Sequence, residues 1–296
     1  MSGAASANGA ARALDESYAR CIEITKKRAR NFHFAFQVLP AAQYKSICAL
    51  YAFARRADDF SDEDGDPGRA LENAKRFRAA FARALEGDAS GDPIFPAVAE
   101  TVRKHKIPRE YFDELIAGTE MDATIRRYRT WEETYRYCYR VASVVGLMTV
   151  HVFGFSRAEA LPLAERTGIA FQMTNILRDI KEDAGRNRIY LPLEDLARQG
   201  VTEADVLAGR DSPAFRALVR FEVARAREYY PAGDELLPMI GAKCRPALAA
   251  LVAIYGRLLE EIARRDYDVL SRRVSLSTAE KLRLAGRFAV GAWLKS

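Results

Sequence analysis

Three oxygen-bearing side chains stand four residues apart in the segment Gln172-Met173-Thr174-Asn175-Ile176-Leu177-Arg178-Asp179-Ile180-Lys181-Glu182-Asp183. On a helix, Asn175, Asp179 and Asp183 then project from nearly one face, with neighbours about 5–6 Å apart, and can converge on a single cation cluster. Far upstream, Asp58 and Asp62 repeat the spacing. Hard oxygen donors in this pattern suit magnesium, which keeps several waters and shares its remaining positions with substrate phosphates. The pattern points to a substrate that carries a diphosphate.

An acidic pair at i, i+4 is in most chains only a solvated helix face. Context argues otherwise here. Asp58 and Asp62 follow the mostly apolar run Ile47-Cys48-Ala49-Leu50-Tyr51-Ala52-Phe53-Ala54, and Ile169-Ala170-Phe171 with Ile176-Leu177 buries the first half of the other helix. Carboxylates on largely buried helices require compensating cations. Arg55 lies on the same side as Asp58, placed either to pair with it or to hold a phosphate oxygen.

Helical periodicity dominates the chain, and hairpin signals and long β-branched alternations are nearly absent, so the expected fold is all-α. Helices are predicted over 15–38, 42–62, 69–86, 94–105, from Pro108 to about 125, and after the Thr130-Trp131-Glu132-Glu133 capping signal. Others are expected from about 157 to before the Tyr190-Leu191-Pro192 turn, and over 202–208, 212–230, 234–240, 245–271 and 277–293. Residues 15–296 read as one domain. Residues 1–14, rich in Ala, Gly and Ser without an apolar period, read as a disordered tail.

The apolar stretch 141–155 falls short of the roughly 20 residues that a spanning helix needs and reads as a buried core helix. Four cysteines, Cys21, Cys48, Cys138 and Cys244, lie far apart without a C-x-x-C pair, the usage of a cytoplasmic protein with reduced thiols. The formal charge of +6 is spread along the chain among 40 acidic residues, without aromatic interleaving, which argues against nucleic acid. A basic surface still suits an anionic substrate or peripheral contact with anionic lipid. His33, His105 and His151 lack metal-ligand spacing, and neither a nucleophile elbow nor a Gly-rich phosphate loop is present. Tyr51, Tyr137 and Tyr255 lie in segments with other candidates, where a phenol can bond diphosphate or a ring can face a carbocation.

Four passages, taken together, resemble the squalene and phytoene synthases: Arg30-Asn31-Phe32-His33-Phe34-Ala35-Phe36; Ala49-Leu50-Tyr51-Ala52-Phe53-Ala54-Arg55-Arg56-Ala57-Asp58-Asp59; Tyr137-Cys138-Tyr139-Arg140-Val141-Ala142-Ser143-Val144-Val145-Gly146; and 172–183, continued by Asn187-Arg188-Ile189-Tyr190-Leu191-Pro192. The resemblance covers roughly 15–290. It implies an isoprenoid-synthase fold, one helical bundle around a central cavity, with the two Asp-rich helices facing across its mouth. By the same resemblance Asp58, Asp62, Asn175, Asp179 and Asp183 hold Mg²⁺, with Asp59 secondary. Arg55, Arg178, Tyr51, Gln172, Tyr255 and one of Arg272 or Arg273 grip diphosphate. Tyr137 lies near the reacting carbons, and Phe32, Phe36, Val141, Ala142 and Gly146 line prenyl tunnels.

One departure concerns a Ser-x-Ser-Phe diphosphate motif of many relatives, where this chain has Ala29-Arg30-Asn31-Phe32. Asn31, with Arg28 or Arg30, replaces the hydroxyl ligands, a pattern similar to certain bacterial presqualene-diphosphate synthases. The implied reaction is head-to-head condensation of two isoprenyl diphosphates. The expected substrate is farnesyl diphosphate, giving presqualene diphosphate and, with NADPH, squalene; the alternative is phytoene from two geranylgeranyl diphosphates. A terpene cyclase shares the spacing of Asn175, Asp179 and Asp183, but its motif carries Ser and Glu at the later positions. A non-catalytic scaffold is expected to lose metal ligands, and all five are present. Oligomeric state leaves no mark in the sequence.

Overall fold

Asp66 and Pro67 show how helices of this chain begin. The Asp66 carboxylate accepts hydrogen bonds from the backbone N–H groups of Gly68 and Arg69, and Pro67 occupies the first turn, where its missing N–H costs nothing. Thr130, Thr202 and Ser212 cap the helices that follow them in the same way. The computed structural model describes residues 2–28, 35–62 and 66–293.

The first half of the described chain is α1 (Ser2–Arg28), α2 (Ala41–Asp62), α3 (Pro67–Leu85), α4 (Phe95–His105) and α5 (Arg109–Thr124). A two-residue strand β1 (Arg127–Tyr128) leads to α6 (Trp131–Cys138), which a π-helical turn (Tyr139–Ser143) joins to α7 (Val144–Phe153). The long α8 (Ala160–Gly185) and strand β2 (Ile189–Pro192) follow, then the short α9 (Leu193–Arg198) and α10 (Glu203–Leu207). The chain continues through α11 (Pro213–Arg227), α12 (Pro231–Leu236), α13 (Arg245–Arg264) and α14 (Thr278–Trp293). The fold is all-α, as the periodicity predicts. The sole sheet among the described residues is the parallel pair β1–β2, with Arg127 opposite Ile189 and Tyr128 opposite Pro192.

Two apolar cores flank the centre. The first is built on Phe53, Phe77, Phe81, Phe95 and Phe112, whose rings meet at centroid distances of 4.6–5.7 Å. The second gathers Ile169, Leu177, Phe215, Val219, Ile254 and Ile262 from α8, α11 and α13. Helix α8 belongs to both, with Ala160 and Ala164 in the first core and Ile169 onward in the second. It crosses the π turn so closely that a Cβ on Gly168 would lie 2.5 Å from Ser143 Cα. Ser143 Oγ fastens the crossing by donating to the Glu165 carbonyl at 2.8 Å.

Two of these expectations need correction. Residues 2–14, read as a tail, are helix in continuity with α1; the alanines that lack an apolar period are also the strongest helix formers. The helix expected over 245–271 stops at Arg264, because Asp266 and Tyr267 take left-handed conformations at φ 53° and 62°. Gly146 packs against the Ala164 carbonyl, where a Cβ would meet it at 3.1 Å, and Phe36 is buried in the first core. Cys21, Cys48, Cys138 and Cys244 are free and buried. No described helix is long and apolar enough to cross a membrane.

Candidate active site

Helix α2 from the first core faces α8 from the second across a cavity of about 730 Å³. From α2 come Tyr51, Arg55 and Asp58; from α8 come Gln172, Asn175, Arg178, Asp179 and Asp183. Tyr137 of α6, Tyr255 of α13 and Arg273 beyond α13 complete the set of candidates that the structure brings together, and Val141 lines the same space. Asn31 and Phe32 lie outside the described residues, and so does the side chain of Asp62. Its backbone ends α2 one turn beyond Asp58.

Local contacts explain why Arg273 reaches the cavity. The Asp268 carboxylate accepts from the backbone N–H groups of Leu270 and Ser271, and Lys181 of α8 donates to the Leu270 carbonyl at 2.8 Å. Val269, Val274 and Leu276 are buried in the second core, which fixes the segment on either side. Arg273 then meets Asp179 at 2.7 Å, on the carboxylate that Arg178 also engages at 2.5 Å. Arg272 instead lines a neighbouring cavity with Arg265 and Glu280, so of the two arginines left open by spacing only Arg273 belongs here. Arg55 is held by Asp59 at 2.6 Å, which gives the residue read as secondary a positioning role.

The donor set fits a hard cation. Asn175 Nδ2 donates to Gln172 Oε1 at 3.2 Å, while Asn175 Oδ1 is buried with no hydrogen-bond partner among the described residues. A buried orphan acceptor costs free energy unless something binds it. Asp183 is pushed up to about 7, first by burial and then by the negative charges of Asp179 and Asp122. Among the described residues no three acidic, His or Cys side chains close into a cage. Magnesium takes water and substrate phosphate as well as protein oxygens in its coordination shell.

Asp183 sets a pH dependence. Its folded value lies above the ordinary 3.8, so without a cation it destabilises the fold progressively as pH rises from about 4 through about 7. A bound divalent cation requires the carboxylate and reverses the sign. Thermal melts in EDTA between pH 5 and 8 should therefore fall more steeply for the wild type than for Asp183→Asn, and Mg²⁺ should raise the wild-type melt more at pH 8 than at pH 5. Equal slopes in EDTA would remove the shift.

The sequence reading missed Asp122, Arg186, Arg188, Tyr190 and Lys281, all of which line the cavity. Seven described basic side chains, Arg28, Arg55, Arg178, Arg186, Arg188, Arg273 and Lys281, face four acidic ones, Asp58, Asp122, Asp179 and Asp183. That surplus of positive charge concentrates a polyanion. Tyr255, 2% exposed, is stacked on Phe171 at 4.4 Å. Tyr137 and Tyr190 stack at 4.7 Å, and both donate to the Asp122 carboxylate, at 3.3 and 2.7 Å.

A helical cavity lined by oxygen donors from two helices, by arginines and by aromatic rings suits a phosphorylated apolar molecule. The squalene/phytoene synthase family model matches residues 25–280. A phytoene synthase of Arthrospira platensis is 36% identical over 287 residues, covering 90% of each chain. Among solved structures, a dehydrosqualene synthase in complex with ligand superposes with a TM-score of 0.86 at 30% identity, covering 95% of this chain and 98% of that one. A squalene synthase from Alicyclobacillus acidocaldarius gives 0.80 at 29% identity, covering 86% and 95%. The chain belongs to the squalene/phytoene synthase family. It is a prenyltransferase that condenses isoprenyl diphosphates head to head.

Proposed function

We propose that the substrate is farnesyl diphosphate and that two molecules are joined to presqualene diphosphate, with Asp58, Asp62, Asn175, Asp179 and Asp183 holding Mg²⁺. The observation that supports the site assignment is that α2 and α8 both bring oxygen donors to one cavity whose lining carries a surplus of basic side chains. Bound there, the metal supplies Lewis-acid stabilisation of the negative charge on departing diphosphate.

The chain's own residues do the rest. Arg178, Arg273 and Arg55, oriented by Asp179 and Asp59, meet the diphosphate oxygens as their charge grows, with Tyr51, Gln172 and Tyr255 donating hydrogen bonds. Because those donors are preorganised, little reorganisation accompanies ionisation. The allylic cation left behind faces the Tyr137 and Tyr190 rings, whose π faces favour positive charge. Val141, Ile176 and Leu258 give the same cavity an apolar lining for the prenyl chains. Attack by the second substrate's double bond and loss of a proton close the cyclopropane. Continuation to squalene draws on NADPH as hydride donor, and the long apolar product leaves by peripheral contact with a membrane.

The C15 reading rests on the likeness to the dehydrosqualene and squalene synthases, whose names denote C30 products, and on Arg30-Asn31-Phe32. The C20 reading has its own observation: the curated relatives include phytoene synthases of A. platensis and Synechococcus elongatus, 36% and 35% identical. Purified protein with Mg²⁺, given farnesyl or geranylgeranyl diphosphate with and without NADPH, separates them by mass spectrometry. A C30 product, or its cyclopropyl diphosphate precursor, from farnesyl diphosphate supports the first. A C40 product alone makes the protein a phytoene synthase, and a cyclic monomer overturns both.

A further inference from the structure

Closing the cyclopropane releases a proton, and that proton needs an acceptor. Resting on the head-to-head reading above, we infer that Asp122 is the terminal proton acceptor, acting through the phenol of Tyr137.

The geometry is specific. Asp122 ends α5 and lines the cavity, with Tyr190 Oη donating to its Oδ1 at 2.7 Å and Tyr137 Oη to its Oδ2 at 3.3 Å. The shorter bond orients the carboxylate and presents the second oxygen to Tyr137. Arg126 and Arg188 hold the backbone at this point, both donating to the Asp122 carbonyl, at 2.8 and 2.9 Å. Tyr128, 1% exposed, closes the back of the cluster with its ring 5.3 Å from Tyr137 and 5.8 Å from Tyr190. Two phenols donating to one carboxylate form a proton path that ends on Asp122.

Tyr137 alone does not serve as the base. Burial, then the neighbouring Asp122 charge, raise its phenol well above the ordinary value of 10, so it stays protonated. A neutral phenol can take a proton on oxygen only while giving one up. In the step, a C–H bond of the coupled cation breaks and its electron pair closes the third side of the ring. The proton passes to Tyr137 Oη while the phenol's own proton passes to Asp122 Oδ2. The cation is thereby discharged, Tyr137 is regenerated, and Asp122 ends as the neutral acid, which loses its proton to water between turnovers. Asp122 is a positioning and relay residue rather than a group in contact with the reacting carbon.

The test compares wild type, Asp122→Asn, Asp122→Glu and Tyr190→Phe with farnesyl diphosphate carrying hydrogen or deuterium at C1, the carbon that loses its proton. Asp122→Asn is expected to lower kcat about 10²-fold or more, in the range of a general base, with KM little changed. A primary deuterium effect on kcat larger than that of wild type should emerge, because proton loss becomes slow. Asp122→Glu should recover part of the rate. A structural role would slow turnover without moving the isotope effect, and that result overturns the inference, as does an unchanged kcat, which would fit departing diphosphate as the base. Should Asp122→Asn fail to fold, Tyr190→Phe deletes one hydroxyl and must still enlarge the isotope effect; no change there is equally decisive against it. A wild type that makes no cyclopropyl product overturns the head-to-head reading itself, a result visible before any variant is assayed.

Discussion

Asp179→Asn is expected to lower turnover by about 10³-fold, roughly 4 kcal/mol of transition-state stabilisation, while leaving the helical fold intact. The substitution keeps shape and one carbonyl oxygen but removes the charge that a divalent cation selects. It also frees Arg178 and Arg273 from their shared counterion, since both guanidiniums lie within 2.8 Å of that carboxylate in hydrogen-bonded contact. The two consequences run in opposite directions. With EDTA present, inorganic diphosphate should bind the variant more tightly than the wild type, because Arg178 loses its carboxylate partner and Arg273 keeps only Glu182, at 3.4 Å. With Mg²⁺ present, the variant should bind diphosphate and still fail to ionise substrate. Calorimetric titration with and without metal, beside an activity assay, reads both arms. Near-normal turnover would take Asp179 out of the site altogether.

That split follows from a spacing visible in the sequence. Asn175, Asp179 and Asp183 share a face because the helix repeat is local, and the apolar residues around them place that face indoors. The same logic located Asp58, Arg55 and Tyr51 on α2. It failed where contacts span loops. Asp122 is a single carboxylate in a helix of mixed polarity, and its partner Tyr190 is 68 residues away, so no period marks it. Arg272 and Arg273 are adjacent, and which one enters the cavity depends on how Asp268 and Lys181 fasten the turn after α13. The parallel pairing of Arg127 with Ile189 was likewise invisible, because strands this short carry no alternation.

The largest stability effect should come from a residue outside the cavity. Arg225→Met is expected to cost about 3–5 kcal/mol at pH 8.5, the penalty for stranding the buried Glu222 charge, since Asp195 keeps Arg198 at 2.6 Å. Arg225 Nη1 donates to Asp195 at 2.7 Å and to Glu222 at 2.8 Å, and these carboxylates are 0% and 1% exposed. Its guanidinium also lies over the Trp131 ring at 4.6 Å. One cation thus ties α11, α9 and the start of α6, the helix that delivers Tyr137. Glu222 is pushed up to about 8, by burial foremost, with Arg225 opposing the shift and Asp195 adding to it. A carboxyl raised above its ordinary 4.5 favours the fold below that value and works against it as pH rises toward 8. Loss of Arg225 raises it further, so the deficit in urea unfolding should be larger at pH 8.5 than at pH 6. Adding Glu222→Gln should return much of it, since a neutral amide needs no counterion. A deficit independent of pH, with no recovery in the double variant, would mean that Arg225 acts through packing on Trp131 and that the two buried carboxylates are held by other means.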